Sequence, residues 1–218
     1  MSKHGEIMMS EIRQTPEIFS KIIANDQITP QLAALITDSS IKSILILARG
    51  TSDNAAHFMK YLVETQLGLP CGLTSPSSVS IYNSNLHYEN TLVVAISQSG
   101  KSTDLVQFAK SSKESGAKLV SITNDSSSPL AQVADFHLPL QAGPEIAVAA
   151  TKSYSAQLLL SYLLVMKWAN KAPHIDKLVS EAEAVLGQEA VIKEVAKGID
   201  LKKEESMARA EGNLTTKH

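Results

Sequence analysis

The chain has 218 residues, of which 44% are hydrophobic and 19% are charged, and its formal net charge is −2. This is the composition of a folded globular chain, and it excludes wholesale disorder. Lys and Arg form no cluster along the sequence, so we expect neither nucleic acid nor an anionic membrane surface as a partner.

Short β-branched runs alternate with helical patterns through the middle of the chain. The runs predict strands at residues 43–48, 70–74, 91–96, 118–122 and 135–140. Between them, apolar residues at helical spacing predict helices over residues 53–66 and 102–115. Strands that alternate with helices are typical of βαβ units. The sequence therefore predicts an α/β fold, a three-layer αβα sandwich around a five-stranded parallel sheet of flavodoxin-like type.

The first and third predicted strands are almost continuously apolar, which indicates a sheet covered on both faces. In open sheets of this kind, ligands bind at the carboxyl ends of the strands. The longest apolar run, residues 158–168, is too short for a membrane span of ~20 residues. It predicts a buried helix, and we expect no membrane partner.

Two hydroxyl-rich turns follow the first and third predicted strands. They read Arg49-Gly50-Thr51-Ser52 and Ser97-Gln98-Ser99-Gly100-Lys101-Ser102. Each leads into a predicted helix, where free N–H groups and the helix dipole favour an anion. Helix capping explains one or two hydroxyls per turn, but the second turn holds more, which favours a phosphate site. An NTPase loop is a weak alternative, since Ala95 stands where that motif needs glycine.

A third segment of interest, residues 142–154, follows the fifth predicted strand. Its small residues allow a backbone to approach a ligand closely, and Glu145 and Lys152 supply charge near the same rim. A plain helix start with solvated charges is equally consistent with this composition.

The composition changes near residue 170. All ten Phe, Tyr and Trp residues lie between Phe19 and Trp168, and the charged fraction rises afterwards. We therefore predict a helical segment at residues 1–42, an α/β domain at residues 43–170, and a helical extension at residues 171–218. The last part of this extension has few large apolar residues and is expected to be disordered.

Cysteine and histidine give no sign of a metal site. Cys71 is the single cysteine, and no Cys/His pair has zinc-ligand spacing. The six histidines share neither metal-ligand nor triad spacing, so we interpret them as structural or solvent-exposed. We expect a reducing, cytoplasmic location and no metal or organic cofactor.

Together, the three motifs resemble the sugar isomerase (SIS) domain family over about residues 9–170. Ser97-Gln98-Ser99-Gly100 is similar to the most specific signature of that family. Residues 145–152 resemble a segment of one branch, which holds the isomerase half of glutamine–fructose-6-phosphate amidotransferase and the SIS-type glucosamine-6-phosphate deaminases. Residues 8–16 are similar to the opening of that branch, although Thr15 here separates Gln14 from Pro16.

This resemblance implies a ligand and a set of site residues. The ligand is an amino-sugar or ketose 6-phosphate, with glucosamine 6-phosphate and fructose 6-phosphate as the best fit. The implied activity is isomerisation, with or without loss of ammonia, through an enediol or enolamine. The implied phosphate ligands are Ser97, Gln98, Ser99 and Ser102, and the implied sugar contacts are Thr51, Ser52, Val148 and Ala149.

The branch takes its acid and base groups from a second domain, a neighbouring subunit and a tail lysine, and none of those motifs can be matched here. Three explanations compete: a piece of a longer enzyme, a single-domain isomerase completed by oligomerisation, and a non-catalytic sugar-phosphate-binding module. Under the second, Glu145 and Lys152 are the candidate acid/base groups. A homodimer or higher oligomer is expected, because the helix at residues 158–168 needs cover beyond one sheet face.

Overall fold

The computed structural model describes residues 3–198. The chain divides into two compact units, one up to Val179 and one from Ser180. This division lies further along the chain than the composition change near residue 170. The predicted disorder at the end of the chain concerns residues 202–218, which lie outside the described residues.

The five strands and the two helices predicted between them follow one another in the predicted order, and the structure adds short helices that the sequence patterns did not predict. Before the sheet come α1 (Lys3–Ile12), α2 (Thr15–Ala24) and α3 (Pro30–Ile36). The α/β part runs β1 (Ser43–Leu47), α4 (Thr51–Leu62) with a π-helical turn (Val63–Leu67), β2 (Cys71–Leu73), α5 (Ser77–Ser80), β3 (Thr91–Ser97), α6 (Thr103–Glu114), β4 (Lys118–Thr123), α7 (Pro129–Val133), β5 (Phe136–Pro139) and α8 (Lys152–Trp168). Two further helices are α9 (Leu178–Leu186) and α10 (Glu189–Lys197).

The strands of the described chain form one parallel sheet in the order β2-β1-β3-β4-β5. The five-stranded parallel sheet that the sequence predicts is therefore confirmed. The central pair is β1 and β3, with Leu47 opposite Ala95. Because each connection between parallel strands crosses one face, helices cover the sheet on both sides.

Apolar cores lie on both faces of the sheet. On one face, Val94 and Ile96 of β3 pack with residues of α2, α3, α4 and α8. On the other face, Val93 and Ala95 pack with residues of α6 that include Phe108. Every residue of β3 is buried, as expected for a central strand covered on both faces.

The buried helix predicted at residues 158–168 is the second half of α8. The helix begins six residues earlier, at Lys152, and its buried side includes Leu160, Leu164 and Val165. Tyr162 is only half-buried, so the described chain does not cover this helix on every side. Within residues 3–198, no helix has the length and apolarity that a bilayer span requires.

The connections from β1 and β3 leave the sheet on opposite faces. β1 continues into α4, which packs on the α8 side, whereas β3 continues into α6 on the other side. Such a divergence opens a crevice at the carboxyl ends of the two strands, where ligands of open α/β sheets bind. The fold thus directs attention to the turns after β1 and β3.

Candidate functional site

The two hydroxyl-rich turns are neighbours in space. Parallel pairing of β1 with β3 in the register Leu47 to Ala95 places the residues after both strands at the same edge of the sheet. Thr51 and Ser52 at the start of α4 therefore share this edge with residues 97–102 at the start of α6. Positions that lie 46 residues apart in sequence, such as 51 and 97, are brought to one crevice.

The turn between β3 and α6 is organised by its own hydroxyls. The Ser97 Oγ accepts a hydrogen bond from the Gly100 backbone N–H at 3.1 Å, and the Ser99 Oγ accepts from Lys101 N–H at 3.3 Å. Ser102 precedes α6 at the N-cap position, yet its side chain accepts no capping bond within the described chain. The first turn of a helix leaves N–H groups without intrahelical partners. The Ser102 hydroxyl accepts a hydrogen bond from none of these N–H groups.

Gly100 makes this turn possible. Its φ of +64° lies in the left-handed region, and a Cβ at this position would lie 2.7 Å from the Cβ of Ser128. The backbone on either side is held by hydrogen bonds from Leu130 N–H to the Gly100 carbonyl and from Asn124 N–H to the Gln98 carbonyl, both 3.1 Å. The turn therefore packs tightly against the connection between β4 and α7.

His137 lies beneath the same connection. Its Nε2 is 2.9 Å from the Thr123 Oγ1, which in turn is 3.3 Å from the Ser128 Oγ. Burial lowers the pKa of His137 below its ordinary value, which favours a neutral imidazole at neutral pH. These contacts give His137 a structural role behind the turn.

The turn between β1 and α4 is anchored to two other elements. Ser52 is buried, and its Oγ accepts a hydrogen bond of 3.0 Å from the Gln157 Nε2 of α8. Arg49 pairs with Asp104 in the first turn of α6, with 2.5 Å between Nη1 and Oδ2. The ion pair joins the two turns across the crevice, while Thr51 is exposed beside it.

The charges around the second turn are paired as well. The Lys101 ammonium lies 3.3 Å from the Asp125 carboxylate. Hydrogen bonds from Ser127, and then the Lys101 ammonium, hold the pKa of Asp125 below its ordinary value. Lys101 and Arg49 are therefore each paired with a carboxylate, and the N-terminus of α6 adds a dipole that favours an anion at the crevice.

The segment predicted as a third site element forms a loop that leads into α8. The Glu145 carboxylate accepts hydrogen bonds from the backbone N–H groups of Thr151 at 2.9 Å and Ser153 at 3.2 Å, and from the Ser153 hydroxyl. This carboxylate therefore caps the start of α8. In the loop between Glu145 and Thr151, Val148 is 96% exposed and Ala149 is also exposed.

The N-terminal helix reaches this loop. The Glu11 carboxylate accepts from the backbone N–H groups of Ile146 at 2.5 Å and Ala147 at 3.1 Å. Lys152, only 2% exposed, donates from Nζ to the Gln14 Oε1 at 2.8 Å. Glu145 and Lys152, the candidate acid/base groups, thus both have structural partners.

An open cavity of about 570 Å³ adjoins the first turn at the ends of β1 and β2. Arg49, Gly50 and Asp53 contribute to it from one side, and Thr74, Ser77 and Ser80 contribute from the other. This polar lining could accommodate part of a hydroxyl-bearing ligand. Among residues 3–198, no cluster of three or more His, Cys, Asp or Glu residues could hold a metal ion.

Glu11, Gln14 and Gln157 were not predicted as site residues from the sequence. Gln157 directly precedes the apolar run at residues 158–168, and its burial within α8 is visible only in the structure. Glu11 lies in a segment noted only for its resemblance, and its partner at Ile146 is 135 positions away.

The chain matches a known protein family over more than half of its length. A family model described as "SIS domain" matches residues 39–167. A glutamine–fructose-6-phosphate aminotransferase (isomerizing) from Methanosarcina mazei is 35% identical over 176 residues, which are 74% of this chain and 28% of that protein. The chain thus spans well under half of this curated relative.

Two solved structures are similar over most of the chain. One, described as a phosphosugar isomerase from Silicibacter pomeroyi DSS-3, has a TM-score of 0.72 and 33% identity, covering 84% of this chain and 54% of its own. The other is the C-terminal domain of glucosamine-fructose-6-phosphate aminotransferase from Francisella tularensis. It has a TM-score of 0.66 and 28% identity, and the match covers 83% of this chain and 54% of its own.

Proposed function

The chain belongs to the SIS domain family, and we propose that it binds a sugar 6-phosphate at the carboxyl ends of β1 and β3. One observation carries this proposal. The hydroxyls of Ser97, Ser99 and Ser52 each accept an N–H hydrogen bond from the protein. A hydroxyl has one proton to donate. Each of these hydroxyls therefore still has a proton that it could donate to a ligand oxygen.

We assign the phosphate to the turn at the start of α6. The proposed phosphate ligands are Ser97, Gln98, Ser99 and Ser102. Here the phosphate oxygens would accept from hydroxyls and from N–H groups of the first helical turn, in the arrangement that binds anions at helix N-termini. The absence of a capping bond from Ser102 within the described chain supports this assignment.

We assign the sugar to the neighbouring turn and the loop before α8. Thr51 and Ser52 would contact the sugar hydroxyls, and the backbone of Val148 and Ala149 would contact the opposite side. The Arg49–Asp104 ion pair would keep the two turns at a fixed separation, so that phosphate and sugar are held together.

We further propose phosphosugar isomerisation of the deaminase type, with glucosamine 6-phosphate and fructose 6-phosphate as the sugars. On the open-chain sugar, a base removes the C2 proton while an acid protonates O1, which gives an enolamine, and a proton is then delivered to C1. Water then hydrolyses the resulting C2 imine to the ketone and ammonia. The support is the isomerase description of the relatives at 33% and 35% identity and the proposed phosphosugar site.

The acid and base groups are proposed to come from a second domain or from another subunit. The Glu145 carboxylate caps α8, and the Lys152 ammonium donates to Gln14, so neither group is poised for proton transfer.

A homo-oligomer is proposed because a neighbouring subunit would supply the missing acid and base groups. The half-buried Tyr162 of α8 and the partly exposed Phe58 line an apolar groove of about 310 Å³ that a second copy could cover.

The test uses the purified 218-residue chain with calorimetric titration of fructose 6-phosphate and an ammonia assay with glucosamine 6-phosphate. Ser97→Ala/Ser99→Ala should abolish binding. The matched control is Ser39→Ala/Ser40→Ala, because those exposed serines precede β1 at the opposite edge of the sheet. Unchanged affinity in the first double variant would refute the phosphate assignment.

A non-catalytic sugar-phosphate-binding module is the second candidate. The observation that favours it is again the structural use of Glu145 and Lys152. It predicts binding without ammonia release at any protein concentration. Turnover that rises with oligomer formation would decide for the enzyme.

A cytoplasmic location is proposed as well. Its support is Cys71, the single cysteine, which is a buried free thiol, in keeping with a reducing compartment. Fractionation of the source cells would test it.

A further inference from the structure

We propose that Glu11 is a positioning residue, which fixes the backbone of the loop at residues 146–149 in the shape that receives the sugar. The inference rests on the proposed function, since that function assigns Val148 and Ala149 to sugar binding. It adds a residue from the N-terminal helix that makes no contact with the reacting atoms.

The contact is specific in its geometry. Glu11 is only 3% exposed, and its two carboxylate oxygens each accept one of two consecutive amides, Ile146 N–H at 2.5 Å and Ala147 N–H at 3.1 Å. Hydrogen bonds to an ionised acceptor are stronger than those between neutral groups. One side chain thereby orients two successive peptide groups immediately before Val148.

The remainder of the loop is anchored on either side of these amides. Glu145 ties the beginning of the loop to Thr151 at its end, with 2.9 Å between Oε1 and N. Gln14, three residues after Glu11, holds Lys152 at 2.8 Å. Between these anchors Val148 is 96% exposed. The loop therefore has a fixed base and an accessible tip, as a preorganised binding loop requires.

Packing alone does not explain why a carboxylate is buried here. Burial of a charged group is unfavourable unless hydrogen bonds compensate for it. The loop that Glu11 holds adds little to the core, because Ile146 is 74% exposed and Val148 almost fully so. The contact therefore determines the shape of the loop rather than the filling of the interior.

The test compares Glu11→Gln with Glu6→Gln. The first replaces one carboxylate oxygen by an N–H₂ donor, which then faces a backbone donor. The second makes the same change at an exposed position of the same helix. Hydrogen exchange of the Ile146 and Ala147 amides is measured by NMR without ligand, and calorimetry gives Kd for fructose 6-phosphate and for inorganic phosphate.

In Glu11→Gln, we expect the backbone amide that faces the new N–H₂ group to exchange at least about tenfold faster, and Kd for fructose 6-phosphate to rise about tenfold, which corresponds to ~1.4 kcal/mol. Kd for inorganic phosphate should not change, because that anion needs only the α6 turn. Glu6→Gln should behave like the wild type throughout. If Glu11→Gln does not fold, Glu11→Asp serves instead, since its shorter side chain cannot reach both amides.

Unchanged exchange at Ile146 and Ala147 would overturn the proposal. So would faster exchange with unchanged affinity for fructose 6-phosphate, because the loop would then not serve sugar binding. An equal loss of affinity for both ligands would point to a general structural role and would also overturn it. Failure of the wild type to bind fructose 6-phosphate would instead refute the proposed function, and with it the role in sugar binding.

Discussion

Replacement of Gly100 by alanine tests how the phosphate turn is built. A Cβ at this position would lie 2.7 Å from Ser128 Cβ and 3.2 Å from Thr123 Cγ2, and the residue has a φ of +64°. Ser128 cannot move aside easily, because it is 1% exposed and its Oγ caps α7 through Ala131 N–H at 3.4 Å.

Two costs combine in Gly100→Ala. The left-handed conformation costs a non-glycine residue roughly 1–2 kcal/mol, and overpacking of a filled site costs about 1–3 kcal/mol. The free energy of unfolding should therefore fall by about 2–5 kcal/mol. At about 2–4 °C per kcal/mol for a chain of this size, Tm should fall by about 4–20 °C.

Gly68→Ala is the matched control for this substitution. Gly68 has a φ of +65°, and no atom of the described residues lies within 4 Å of its Cβ position, so only the conformational cost of roughly 1–2 kcal/mol applies. Urea unfolding of both variants gives the difference, and titration with fructose 6-phosphate should show weaker binding for Gly100→Ala only. Equal stability of the two variants would refute the steric reasoning.

Three further predictions concern side chains around the site. Gln157→Leu removes the N–H that holds the Ser52 hydroxyl, so calorimetry should show weaker binding of fructose 6-phosphate, by about fivefold; unchanged affinity would exclude a role for this pair. Glu145→Ala removes the α8 cap and should lower the free energy of unfolding in urea by about 1–2 kcal/mol; full stability would contradict the capping role. Burial raises the pKa of the Cys71 thiol to about 11, so iodoacetamide at pH 8.5 should modify it only after denaturation; rapid modification of the native protein would show that the thiol is accessible.

The α/β architecture could be predicted from local patterns. β1, β3 and β4 are short runs rich in β-branched apolar residues, as in Leu92-Val93-Val94-Ala95-Ile96 of β3, and a helical pattern follows β1 and β3. The start of α8 was harder to predict from the sequence. Its cap is the Glu145 carboxylate rather than the N-cap residue Thr151, and its first turn is polar, so the apolar periodicity becomes clear only from residue 158.

The candidate site was likewise only partly predictable from the sequence. The turns after β1 and β3 were predicted because strand ends and helix starts are local features, and parallel pairing brings them together. Glu11 and Gln14 were not predicted as site residues because their partners are 135 and 138 positions away. The spacing of apolar residues along the sequence cannot indicate a contact that depends on how the N-terminal helices pack against the rest of the chain. Gln157 was not predicted either, since its partner Ser52 is 105 positions away and the apolar run of α8 begins only after it.

A crystal structure of the chain with fructose 6-phosphate bound would test the central claim most directly. We expect the phosphate oxygens about 2.6–3.2 Å from the hydroxyls of Ser97, Ser99 and Ser102, within ordinary hydrogen-bond distance. The sugar should extend toward Ser52 and the loop around Val148. A phosphate bound elsewhere, for example in the cavity at the ends of β1 and β2 with the α6 turn empty, would contradict the assignment.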